Sequence, residues 1–377
     1  MTTTAHRSTA VHAPEPEPGP SAQRPPVLAR WARAVAAAWC VAYLALGILW
    51  MSGPTAYPWP RTQDNGVDLV APLDRTMVAV GTVVLAAAGL LLLVLGPRLA
   101  RRRRRAGAVL ALAAFGLAAS LAVVIPDMRV LALAGYLPML LVLLVLPIGP
   151  QVPLGEVLSW PTMNLVLLTV AGLAFAVHGA AIWRAARRAC QACGRGEAPR
   201  WWTRPRIDRW GRMSVTVAVV IPLGYAVTRY AWLLGIPLGL SKETLESLRP
   251  ILWAGAGLAT GAVVGAVLTT GLVRPWGEVF PRWLPRVGGR TVPVALAVVP
   301  ASIVAVIIMS AGVMFLRLAV TGAFDVLPGG PGDIAIWLPE VFWPLWSCGL
   351  AFASWTYWLR RRPPCLVCGR RTEQVSS

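Results

Sequence analysis

Nine apolar runs, each close to 20 residues and nearly free of charge, organise this 377-residue sequence. They fall at 33–51, 76–97, 106–125, 130–148, 163–183, 213–236, 250–272, 292–316 and 338–359. A helix needs about 20 apolar residues to cross a ~30 Å hydrocarbon core. Backbone polar groups at that depth must be paired within the segment, so helices are the expected solution. Charged residues make up only 14% of the chain, too few to cover the surface of water-soluble domains. The expected class is an all-α, polytopic transmembrane helix bundle whose surroundings are membrane lipids. The +19 net charge lies in the connections between the runs, which excludes a nucleic-acid-binding surface.

Those connections carry orientation, because Lys and Arg stay on the cytoplasmic side of short loops. The N-terminal tail, 98–105, 184–212, 274–290 and the C-terminal stretch from 360 hold 28 of the 35 basic residues. All five are expected to be cytoplasmic, which places the chain in a bacterial plasma membrane with both termini inside. Residues 1–26 are Pro-rich and polar, and are expected to form a disordered cytoplasmic tail. No short apolar region with a small-residue cleavage site precedes the first run, so no removable signal peptide is expected.

The two halves share an ordered set of markers. Tyr43, Trp50 and Gly53 recur at identical spacing as Tyr225, Trp232 and Gly235, and Arg75 and Gly81 recur as Arg249 and Gly255. "VLPIGP" at 145–150 answers "VLPGGP" at 326–331, and "GLAFA" occurs at both 172–176 and 349–353. Each half closes on a Cys-x2-Cys-Gly turn. These markers predict two tandem parallel four-helix repeats, 27–196 and 213–377, joined by a basic, Trp-rich linker at 197–212. Eight crossings then suffice. The unmatched run 130–148, where Gly135 and Pro138 are expected to interrupt the helix near its middle, is expected to be re-entrant or interfacial, with a ninth crossing as the alternative. The four-helix unit opening on Tyr-x6-Trp-x2-Gly resembles small four-helix membrane proteins of unknown function, known mainly from actinobacteria. The resemblance covers each half separately and implies a fold unit, with no activity attached.

Cysteine placement is the sharpest chemical feature. Cys190, Cys193, Cys365 and Cys368 form two knuckles, each just beyond the last helix of a repeat. One knuckle supplies half of a tetrahedral zinc site, and two supply a Cys₄ site. A parallel duplication brings equivalent positions to the same membrane face, so one shared Zn²⁺ per chain is expected. A dithiol redox pair in each half, or unligated thiols kept reduced in the cytoplasm, are the alternatives.

Arg229 sits inside an apolar run near Tyr225 and Trp232. It is expected to snorkel to the outer headgroups, with an anion or polar contact as the functional alternative. Arg75 and Arg249 begin equivalent helices, where they mark the interface or face acids such as Asp74 and Glu246. His178 is expected to be a hydrogen-bonded packing residue, and most of the 18 Trp an interfacial belt. Gly257, Gly261 and Gly265 share one helical face and predict a helix-packing surface.

No helix core is expected to hold an Asp or Glu, which weakens an ion-coupled carrier. No phosphate loop, HExxH or nucleophile-elbow motif is present in the sequence, so no enzymatic activity is expected. The functions in view are a membrane scaffold or regulator with a cytoplasmic Cys₄ zinc site, a permease or small-molecule or lipid-binding protein with its site between the repeats, and a membrane dithiol redox protein.

Overall fold

The computed structural model describes residues 27–59, 68–70, 72–145, 155, 158–196 and 203–369, with backbone alone at 138–145. The tail expected to be disordered, most of "VLPIGP" and the first part of the linker lie outside these residues. Every apolar run is a helix: α1 (Val27–Ser52), α2 (Arg75–Arg102), α3 (Arg104–Ala119), α4 (Met128–Val145), α5 (Trp160–Ala186), α6 (Arg204–Leu233), α7 (Leu252–Thr270), α8 (Val294–Thr321) and α9 (Trp343–Arg361). Short helices at Lys242–Leu248 and Leu338–Val341 precede α7 and α9. Among the described residues, seven of these helices are long and apolar enough to cross a membrane: α1, α2, α3 with its final turn, α5, α6, α7 with its preceding helix, and α8. The last helix, α9, carries Ser347, Ser354, Thr356 and Tyr357 and is less apolar.

Each half has its own core. Trp39, Tyr43, Trp50, Leu117 and Phe175 centre the first, and Tyr225, Ile308, Phe315, Trp343 and Tyr357 the second. Three helix pairings recur in both halves, and in the first α2 packs in addition on α3 and α5. In the first half α1 lies on α2 and α5, and α3 lies on α5; in the second, α6 lies on α7 and α9, and α8 lies on α9.

The two Trp markers do equivalent jobs. Trp50 Nε1 donates to the Ala56 carbonyl at 3.1 Å, and Trp232 Nε1 donates to the Leu238 carbonyl at 3.0 Å, each six residues on. A buried indole N–H left without an acceptor costs about 1–3 kcal/mol, so each Trp fixes the chain's exit from its helix.

Local contacts place the loops at two ends of the bundle. Gly107, just past the α2–α3 junction, lies against Ala100 of α2 and Ala186 at the end of α5. Asp208 at the start of α6 and Glu278 in the α7–α8 connection both face Arg360 at the end of α9. The basic segments 98–105, 184–195, 204–212, 274–290 and 360–362 therefore gather at one end. At the other end, Arg129 at the start of α4 pairs with Asp68, and Trp160 at the start of α5 donates to the Ala56 carbonyl at 2.7 Å. Both partners belong to the α1–α2 connection, so 129 and 160 lie at the same end.

Two packing expectations change. Gly135 does not interrupt α4, which is continuous from Met128 to Val145. It lets α4 press against the second half instead, since a Cβ there would meet Leu258 Cδ1 at 2.4 Å. Gly257, Gly261 and Gly265 form no packing surface within the chain: a Cβ at any of them would meet nothing within 4 Å. On α7 the residues turned inward are Ala256, Ala259, Ala266 and Thr269.

The halves join through α4 and the π-helical turn Ser120–Val124, both packed against α8. Leu131 reaches the second core and Ile307 reaches the first.

Candidate metal centre

Helix α5 ends at Ala186 and α9 at Arg361, side by side at the basic end, and each runs into a knuckle. The turns are built alike. Gly194 N–H donates to the Cys190 carbonyl at 2.7 Å, and Gly369 N–H to the Cys365 carbonyl at 2.8 Å. The two glycines have φ of 70° and 68°, a left-handed conformation that a side chain would strain.

The knuckles face each other. Cys190 Sγ is 3.9 Å from Cys365 Sγ, and Cys193 Sγ is 3.7 Å from Cys368 Sγ. All four sulfurs lie within 4.8 Å of one another. Sulfurs bound to one tetrahedral zinc at ~2.3 Å would stand about 3.8 Å apart, so the donor set fits that ion in number, chemistry and spacing. Cys190 and Cys365 are buried, whereas Cys193 and Cys368 are half-exposed.

Arg195 completes the joint. Buried beside the cluster, it donates from its backbone N–H to Cys193 Sγ at 3.4 Å. Its guanidinium spans to the other half, donating to the carbonyls of Arg362 at 3.3 Å and Pro363 at 2.8 Å. Burial, with the neighbouring thiols, pushes the Cys193 thiol up to about 12. At Cys365 burial also acts upward, but the N–H groups of Cys368 and Val367 and the hydrogen bonds of Cys193 and Cys368 outweigh it and bring the thiol down to about 6. Burial and hydrogen bonding thus drive Cys193 and Cys365 in opposite directions. A dication would stabilise the thiolates.

The other candidate residues lie elsewhere. Arg229 is buried and does not snorkel: its Nη2 pairs with Glu340, and its Nη1 donates to the Ala335 carbonyl at 3.0 Å. Its guanidinium carbon lies 4.4 Å from the Tyr225 ring centre and 4.1 Å from that of Trp232. A fixed counter-charge and two aromatic faces hold the cation more firmly than a route to the headgroups could. Glu340 lies in the short helix Leu338–Val341 at the start of the run 338–359, outside the core of α9, and is 2% exposed. Tyr136, on α4 from the first half, is within electrostatic reach of Arg229. Arg249 pairs with Glu246 at 2.9 Å on the surface. Asp74 accepts from the Thr76 N–H as the cap of α2. His178 is buried with Nε2 3.4 Å from the Leu92 carbonyl oxygen, which fits a packing role.

Two features had no counterpart in the sequence reading. One is the Arg195 bridge. The other is a charged cluster at the end opposite the cysteines, where Asp68, Asp127 and Arg129 of the first half approach Arg317 of the second. Arg129 Nε donates to Asp127 Oδ1 at 3.0 Å.

The chain is thus a multi-pass membrane protein with a four-cysteine cluster that could hold a metal ion. No known protein family, curated protein or solved structure matches it.

Proposed function

We propose that this protein is an integral membrane scaffold or regulator whose two halves are clasped by one zinc ion at the cytoplasmic face. A single observation carries the proposal: two knuckles, one from each half, bring four sulfurs within 4.8 Å. Cys190, Cys193, Cys365 and Cys368 would hold the ion, which when bound supplies a structural cross-link and no chemistry on a substrate, because four thiolates leave no open position. The matched Trp bonds, matched knuckles and three recurring helix pairings support an origin by tandem duplication. The gathering of basic segments at one end supports a cytoplasmic placement for that end. The approach of 129 and 160 to the same connection supports a re-entrant α4 and eight crossings. Metal analysis of the protein purified without chelator tests the clasp: about one zinc per chain is expected, and a metal-free, fully folded protein would remove it.

A second reading has its own observation. The buried Arg229–Glu340 pair and Tyr136, contributed by both halves, supply the polar centre that a permease or small-molecule-binding protein needs between its repeats. Binding of small organic anions that is lost on Arg229→Gln with the fold intact would favour it.

A further inference from the structure

The four cysteines do more than match a metal. We propose that they are a peroxide-reactive site that closes into two disulfides across the halves, Cys193–Cys368 and Cys190–Cys365, with release of the metal. The inference deepens the clasp reading and rests on it for the metal alone. The thiol pairing stands on geometry: each sulfur has a partner in the other half within 4 Å. A disulfide is about 2.05 Å long, so each pair needs to close by roughly 1.8 Å. That movement runs along the line between the knuckles. It leaves the Gly194 and Gly369 turns and their hydrogen bonds in place.

The two pairs differ in access. Cys193 and Cys368 are half-exposed, so a small oxidant reaches them first; Cys190 and Cys365 are buried beneath them. The Cys368 thiolate attacks the peroxide: an S–O bond forms, the O–O bond breaks, and the departing hydroxide takes a solvent proton to become water. The Cys193 thiol then attacks the sulfenic sulfur: the S–S bond forms, the S–O bond breaks, and the departing hydroxide leaves as a second water with the thiol's proton. The two sulfurs have lost two electrons, and one peroxide has become two waters. A second peroxide does the same for Cys190 and Cys365. Disulfide sulfurs are poor zinc donors, because the thiolate is the metal ligand. A dithiol reductant reverses the change by exchange.

The consequence is a change in the kind of joint. A metal clasp holds the ends of α5 and α9 through four bonds to one ion. The oxidised form holds them by covalent bonds and frees the ion as a second output.

The sequence supplies a direct test on the intact protein in detergent. Trypsin places Cys190 and Cys193 together in the peptide 189–195, and Cys365 and Cys368 together in 362–370. Reduced, zinc-loaded protein is treated with two equivalents of hydrogen peroxide. The monomer band is digested without reductant, and released zinc is read with a colorimetric chelator. The expected product is one cross-linked species containing both peptides, with zinc release in step. Replacing both Cys193 and Cys368 with Ser should leave a single link, formed at least tenfold more slowly. Separate peptides, each two hydrogens lighter from a disulfide within its own knuckle, would overturn the proposal, as would sulfinic products or unchanged thiols. Zinc in the reduced protein with unlinked peptides sinks this inference and leaves the clasp standing. Linked peptides from protein that never held zinc sink the clasp and uphold the pairing.

Discussion

Cys190 and Cys365 stand 175 residues apart in sequence and 3.9 Å apart at their sulfurs. Each occupies the first position of its knuckle and each is buried, so like meets like across the join between the halves. The second positions, Cys193 and Cys368, repeat the arrangement on the solvent side. This is the contact expected when an axis along the membrane normal relates two parallel repeats.

Cooperation among the four ligands gives the first prediction. A two-cysteine site binds zinc far more loosely than a four-cysteine one, and structural zinc is worth on the order of 10–16 kcal/mol of apparent binding energy in small peptides. Serine at Cys190 or at Cys365 should each lower zinc content below about half an equivalent. The separate cores of the two halves should survive. Metal analysis with size-exclusion profiles in detergent reads both effects, and a full zinc equivalent in both variants would refute a shared site.

Topology gives the second. With Cys348 replaced by Ser, single cysteines introduced at Arg101 and Arg282 should resist an impermeant thiol reagent in intact cells, and one at Glu243 should react. Arg101 and Arg282 belong to basic segments at one end of the bundle, and Glu243 precedes α7 at the other. Labelling of Arg101→Cys together with protection of Glu243→Cys would reverse the orientation.

Asp68 gives the third. Burial and the nearby Asp127 carboxylate push its carboxyl up to about 6, against the pull of Arg129. A carboxyl raised in the folded chain holds its proton better there than in the unfolded one. Its stabilising contribution is therefore fully present below the ordinary unfolded value of about 3.9 and is lost as pH rises through about 6. Lowering the pH from 7 to 5 should thus raise the melting temperature of the native protein relative to Asp68→Asn. Equal pH slopes for the two proteins would contradict it.

Much of this architecture is legible in the sequence because lipid imposes length and charge rules that act locally. All nine runs are helices, and the knuckles that the markers pair do meet. The failures share one physical cause: they concern partners chosen in three dimensions. Glu340 does not stand out in the sequence, since nothing local says that a residue 111 positions away will neutralise it. Gly257, Gly261 and Gly265 have the spacing of a packing face, yet spacing cannot say whether a neighbour arrives. Gly135 looks like a breaker by propensity, but tertiary contact with Leu258 turns its missing side chain into a close approach. Arg195 is one of nine arginines in its segment, and only the fold distinguishes the one that bridges the halves.

The last prediction concerns Arg229 and Glu340. Removing one partner of a buried pair leaves an uncompensated charge, at a cost of about 3–5 kcal/mol, whereas removing both leaves none. Arg229→Met has a further consequence, because the cation also lies over Tyr225 and Trp232. Each such contact is worth about 0.5–2 kcal/mol, so the Arg side should be the costlier single loss. Glu340→Gln keeps the shape and an acceptor oxygen, but leaves the arginine charge with only neutral partners in Thr228 and the Ala335 carbonyl. The expected order of stability is native, then the double variant Arg229→Met with Glu340→Gln, then Glu340→Gln, then Arg229→Met. The double should recover at least about 1 kcal/mol over the sum of the singles, the coupling expected of residues in direct contact. Thermal unfolding of the four proteins in one detergent measures the cycle. Additive losses would mean that the pair is not formed in the membrane-embedded protein, and would return Arg229 to the outer interface.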